Sequence, residues 1–404
     1  MNGSATPSHF QPAARLITLE ENYRSTQPIL EACNAVIGLA AERFTKNLRS
    51  DRASKQRPFI TTVVDETAQA HHVAEQVLEA REAGVALKSQ AVLFRASRHS
   101  GQLELELARR NIPFVKHGGV KFLEAAHVKD VICLLRWCEN PSDSVAGFRV
   151  LQLLPGLGPK TADKILAALE GERDLGAILS RIKAPKAAAA AWPAFAKLVG
   201  SLNRSQHGWP EEISLVRRWY EPHLDQNYDD APSRKADLLQ LEGIAAAYAS
   251  RQKFLTEVTL DPPEKTKARA RAIAPAEDCL TLSTIHSAKG QEWKCVHVLN
   301  VVDGCIPSDK ASTAEEIDEE RRLLYVAMTR AKDELNLILP LRFFTIGSGD
   351  DYAYTSVSQF IPENIQRLFE RRLWNEPTKS LLHAASATQT NPISLPDIAK
   401  RKWA

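Results

Sequence analysis

Tyr23 and Arg24 stand side by side in ENYRS, residues 21–25. An aromatic ring can stack on a nucleobase, and a guanidinium can grip a phosphate. The same five residues also fit a helix N-terminus capped by Asn22 or Ser25. A second stretch, TIHSAKGQEW (Thr284–Trp293), directly follows a strand-like run. Its Ser, Lys and Gly put backbone N–H groups and polar side chains at the strand's C-terminal end, where open α/β sheets bind ligands. In a third, EERRLLYVAMTRAK (Glu319–Lys332), Leu323, Leu324 and Val326 to Met328 supply a packing side, with Arg322, Thr329 and Arg330 beyond it. An arginine fixed by a packed helix can reach a transferring phosphate.

Two further stretches imitate phosphate and metal chemistry. A P-loop needs G-x-x-x-x-G-K followed by Ser or Thr, and no such run occurs. PGLGPKT comes near it, but Pro159 separates Gly158 from Lys160 and removes an amide. TTVVDET looks like a strand ending in a magnesium-binding Asp-Glu pair; Asp65 and Glu66 are read as ordinary strand-end acids. LPGLGPKTADKIL reads instead as a helix-hairpin-helix, whose amides near Gly156 and Gly158, with Lys160, can bind DNA phosphates without reading sequence. Base-excision glycosylases carry similar hairpins and place a catalytic Asp soon after; Asp174 is the weak candidate here.

The elements that must position these residues alternate. TQPILEACNAVIGLAAERF reads as a helix with Pro28 in its first turn. ARLITL, PFITTVV and SQAVLFR read as strands, and AQAHHVAEQVLEAREAG and SGQLELELARRN as helices. This alternation predicts a parallel sheet. From about Leu123 to Ala274 the pattern turns almost wholly helical, with RKADLLQLEGIAAAYASRQKFL read as one helix and KAPKAAAAAWPAF as a joint or hinge. The basic stretch PPEKTKARARA reads as exposed. Strands return with CLTLSTI, CVHVLNV and ELNLILP around the EERRLLYVAMTRAK helix. The expected organisation is a first α/β part over 1–122, a helical insertion over 123–274, a second α/β part over 275–345, and a partly disordered extension over 346–404.

The 404 residues carry a net charge of +3, with 44% hydrophobic and 25% charged residues. That balance fits globular cores and confines nucleic-acid contacts to local patches. No apolar run of about 18 residues suggests a membrane span, and the N-terminus lacks the features of a signal peptide. Six cysteines without a C-x-x-C pair are read as reduced thiols of a cytosolic, cytoplasmic protein.

In this order and at these separations the three stretches resemble the second motor domain of the UvrD/Rep/PcrA family of superfamily 1 DNA helicases, from about Leu16 to Pro340. AVLFRASRHS resembles that family's strand-end DNA contact, and the run from Pro113 to Leu151 its entry into an inserted helical domain. The resemblance implies a RecA-like parallel sheet interrupted by an all-α domain. It implies ATP and Mg2+ as cofactors and 3′-to-5′ DNA unwinding coupled to hydrolysis. Tyr23 would stack on adenine, Arg24 contact the γ-phosphate, and Glu292 bind the ribose beside Gly290. Arg330 would be the arginine finger. Thr284, His286 and Arg95 would lie along single-stranded DNA, and Gly156, Gly158 and Lys160 would meet duplex. No metal ligand is expected in this chain. The P-loop and the Mg2+ ligands would belong to a first motor domain, upstream or in a separate chain, so the chain is expected as a fragment, a split gene product or a truncated form, inactive alone. Gln291, Ser97, Gly101 and His127 depart from the family pattern. A non-catalytic DNA-binding or regulatory module that keeps the fold is the alternative.

Overall fold

A computed structural model describes residues 20–40, 47–259, 278–344 and 352–374. The expected strand ARLITL, the basic stretch PPEKTKARARA and the polar last 30 residues lie outside these.

Seven strands form one sheet: β1 (Phe59–Val63), β2 (Gln90–Phe94), β3 (Phe114–His117), β4 (Leu280–Thr284), β5 (Trp293–Val298), β6 (Ala331–Pro340) and β9 (Glu370–Leu373). Their order is β3-β4-β2-β5-β6-β1-β9, and every neighbouring pair is parallel. A separate antiparallel pair joins β7 (Arg342–Phe344) and β8 (Tyr352–Tyr354).

The sheet is covered on both faces, which explains why its inner strands are continuous apolar runs. Successive side chains of β2 serve opposite layers. Ala91 and Leu93 join the core under α1 (Gln27–Ile37) and α12 (Ala314–Met328). Val92 and Phe94 join the core under α2 (Glu66–Glu82) and α3 (Gly101–Arg109). α12 begins with a capping box, in which the Thr313 side chain and Glu316 each satisfy the other's backbone N–H.

β3 and β4 are direct neighbours, yet the chain between them makes eight α-helices among the described residues: α4 (Ala126–Glu139), α5 (Ser144–Leu151), α6 (Pro159–Leu169), α7 (Leu175–Arg181), α8 (Trp192–Asn203), α9 (Glu211–Asn227), α10 (Ala231–Ala246) and α11 (Arg251–Thr259). They enclose their own core, with Trp137, Phe195 and Phe254 fully buried. The fold is therefore a RecA-like parallel sheet interrupted by an all-α domain.

Two features differ from the sequence reading. The long helix expected over Arg234–Leu255 breaks at 247–250 into α10 and α11. The break lets Arg251 turn inward to Glu139, Glu212 and the Leu202 carbonyl. The short strands β3, β7, β8 and β9 were not anticipated; β9 is ERRL, with no apolar run to announce it.

Candidate functional site

Asn22 builds the first part of the site. Its side-chain oxygen accepts from the backbone N–H of Arg24 at 2.8 Å and of Ser25 at 2.9 Å. The Ser25 hydroxyl donates to the Ala331 carbonyl at 2.6 Å, and the Thr26 N–H to the Lys332 carbonyl at 3.0 Å. Residues 22–26 are thereby fixed to the start of β6. The Tyr23 ring is left on the surface, 79% exposed.

Arg24 is paired through Nε with the Glu292 carboxylate, and its Nη1 lies 3.4 Å from the Thr329 carbonyl. Lys332 meets the other Glu292 oxygen at 2.7 Å. Hydrogen bonds from Lys332 and Arg24 hold the Glu292 carboxyl down to about 2. Arg330 is half-buried. Its Nε donates to the Val326 carbonyl and its Nη1 to the Gln291 carbonyl, both at 3.1 Å. Burial, and then the Arg24 charge, lower its pKa from the ordinary arginine value. Tyr23, Arg24, Arg52, Glu292, Lys332 and Asp333 line one open groove of about 410 Å³. An exposed ring beside several cations and two carboxylates suits a nucleotide's base, phosphates and ribose.

Glu292 and Arg330 precede β5 and β6, so they sit at strand starts, not at the C-terminal end expected of a polar βα turn. The reason is residues 285–292, which leave the end of β4 and reach the start of β5. Ile285 and Ala288 anchor that run in the core, and Gly290 turns it at φ +89°.

Thr284 remains at the C-terminal end of β4, with its hydroxyl 3.0 Å from the Ser287 hydroxyl. His286 beside it is exposed. The Gly118 backbone lies so close that a Cβ there would overlap the Thr284 hydroxyl, and Gly119 approaches Ser97 in the same way. Arg95, just past β2, has its guanidinium engaged by Glu320 of α12. The hairpin residues lie between α5 and α6, within the inserted domain. Gly156 adopts φ +72° against Ala187, Gly158 caps α6, and Lys160 is exposed.

Two of the acids set aside in the sequence have structural partners. Asp65 caps α2 and pairs with Arg342 at 3.3 Å. Asp174 caps α7 and pairs with Arg204. None of the six cysteines, all of them among the described residues, is in a disulfide. Among the described residues, no group of three His, Cys, Asp or Glu side chains could hold a metal, and no helix is long and apolar enough to cross a membrane. Sequence reasoning missed Lys332, Arg52, Glu320 and the Gly118-Gly119 pair. Lys332 and Glu320 fall inside the third stretch, but their partners are distant in sequence.

Residues 17–206 and 241–341 match the family model described as the UvrD-like helicase C-terminal domain. DNA helicase II of Haemophilus influenzae is 30% identical over 342 residues, covering 80% of this chain and 47% of that protein. The ATP-dependent DNA helicase PcrA of Staphylococcus epidermidis is 27% identical over 379 residues, covering 88% and 50%. The ATP-dependent DNA helicase UvrD1 of Mycobacterium tuberculosis is 30% identical over 358 residues, covering 80% and 46%. The chain thus spans about half the length of the curated relatives it matches. The solved C-terminal domain of a possible DNA helicase from Lactobacillus plantarum aligns at 11% identity over 87% of this chain and 98% of that one; its TM-score of 0.34 is too low to bear on the fold.

Proposed function

The chain belongs to the UvrD-like helicase C-terminal domain family, and from that premise we propose that it is the second motor half of an ATP-dependent 3′-to-5′ DNA helicase, cytoplasmic and serving a pathway such as DNA repair. One observation carries this reading: Tyr23, Arg24, Glu292 and Lys332, drawn from three distant stretches, line one open groove, and Arg330 is anchored beside it on the carbonyl of Gln291, the neighbour of Glu292. Tyr23 stacks on adenine, Glu292 takes the ribose hydroxyls, and Arg24 and Arg330 reach the γ-phosphate. Gly290 lets the backbone turn beside them. When the ribose engages Glu292, Arg24 gains freedom to turn toward phosphate. The groove supplies no phosphate cradle, so a P-loop domain, upstream or in a separate chain, holds the nucleotide. Magnesium would be held by that domain, not by residues of this chain, and would supply charge neutralisation at the phosphates.

Thr284 and His286 line the path of single-stranded DNA, and Gly156, Gly158 and Lys160 touch duplex. The division at 1–122, 123–274, 275–345 and 346–404 belongs to the same proposal. The test is hydrolysis. Purified chain with ATP, magnesium and single-stranded DNA should show no turnover. Adding the P-loop motor domain should give DNA-stimulated hydrolysis that Arg330→Ala lowers by roughly 10³–10⁵. Turnover by the chain alone, lost in Arg330→Ala, would sink the reading; DNA binding without turnover in either setting would favour the regulatory module.

A further inference from the structure

We propose that Arg95 is a positioning residue, the strut by which the loop after β2 aims Arg330, and not a DNA contact; the inference rests on the reading above for what Arg330 does. Arg95 directly follows β2. Its Nε lies 2.9 Å from each carboxylate oxygen of Glu320, and its Nη2 lies 2.6 Å from one of them. Glu320 is only 5% exposed and also accepts from the Ser308 N–H at 3.3 Å. A two-pronged pair of this kind fixes the plane of the guanidinium. A DNA phosphate would have to strip Arg95 away and leave Glu320 buried without a counter-charge, which is costly.

Glu320 lies on α12, and Arg330 stands just past the end of the same helix. Ten residues separate them, about 15 Å at the helical rise. α12 is capped by Thr313 and Glu316 and packed through Leu324, Ala327 and Met328, so it moves as one body. The direction of Arg330 therefore depends on where Arg95 holds the helix. The backbone of Arg95 is in turn joined to the Thr284 turn: the Ile285 N–H donates to the Phe94 carbonyl at 3.0 Å. DNA contact at Thr284 then bears on Arg330 through one ion pair and one helix.

Glu320→Gln keeps the side-chain volume, and Arg95→Gln removes the fork. In the enzyme assembled with its P-loop domain, each should lower kcat about tenfold or more, with single-stranded DNA affinity held within about twofold. The double variant should be no worse than the worse single one. Arg95→Glu combined with Glu320→Arg should recover part of the loss. In the chain alone, amide exchange over residues 326–332 should quicken in both single variants, whether or not ATP is hydrolysed. The strut is overturned if Arg95→Gln weakens DNA binding and takes about one unit off its salt slope, while Glu320→Gln changes neither exchange nor kcat. If the assembled wild-type enzyme hydrolyses no ATP in response to DNA but exchange quickens as expected, the proposed function falls and the strut stands.

Discussion

A tyrosine ring that is 79% exposed cannot be explained as core packing. Base–aromatic stacking is worth roughly 1–3 kcal/mol. Tyr23→Ala should therefore raise KM for ATP about five- to a hundredfold in the assembled enzyme, with Tyr23→Phe nearly silent. Its melting temperature should hardly move, because exposed substitutions usually stay within about 0.5 kcal/mol. A lower melting temperature at unchanged KM would refute the stacking role. Glu66 makes a different prediction. Burial, helped by Asp65, lifts its carboxyl from 4.5 to about 7. A raised carboxyl pKa favours the folded chain below 4.5, and that favour fades as pH climbs through about 7. Glu66→Gln should flatten this part of the stability profile and add about 1–3 kcal/mol at pH 8. Denaturant melts at pH 5 and pH 8 check it; an unchanged difference between the two pH values speaks against it.

Elements were legible where burial is continuous or periodic. The run AVLF reads as an inner strand because both of its faces are covered, and EERRLLYVAMTRAK as a helix because its apolar residues recur on one side. β9 was illegible for the opposite reason. Its strand state comes from pairing with β1 and from the Arg372 guanidinium lying 3.4 Å from the centre of the Phe59 ring, neither of which a local pattern encodes. Likewise Arg95 and Glu320 are 225 residues apart, so one sequence cannot show that they pair. The residues proposed to hold nucleotide are legible from their motifs, but the end of the sheet at which Glu292 emerges is not. The hairpin between α5 and α6 offers an element-scale test. Duplex binding by the chain should weaken steeply with salt, through counterion release, and Lys160→Ala should take about one unit from that slope without altering the melt. An affinity indifferent to salt, or an unchanged slope in the variant, would exclude the hairpin as a phosphate contact.

At the scale of the whole molecule, the sheet and the inserted helices keep separate cores, the former split above and below the strands. The groove at Tyr23 draws its lining from the sheet part alone, whereas the hairpin belongs wholly to the helices. The adjacency of β3 and β4 has a consequence for engineering. The two strands are parallel, so the insertion leaves from one end of the sheet and returns at the other. A tight turn cannot replace it; a graft must be a right-handed crossover of about a dozen residues or more, most simply one helix. A miniaturised chain in which such a helix replaces residues 123–277 should still melt cooperatively and bind nucleotide when joined to the P-loop domain, but should lose the salt-sensitive grip on duplex. If the shortened chain collapses into aggregates whatever helix is grafted, the sheet depends on the insertion for cover, and the two parts cannot be exchanged as independent modules.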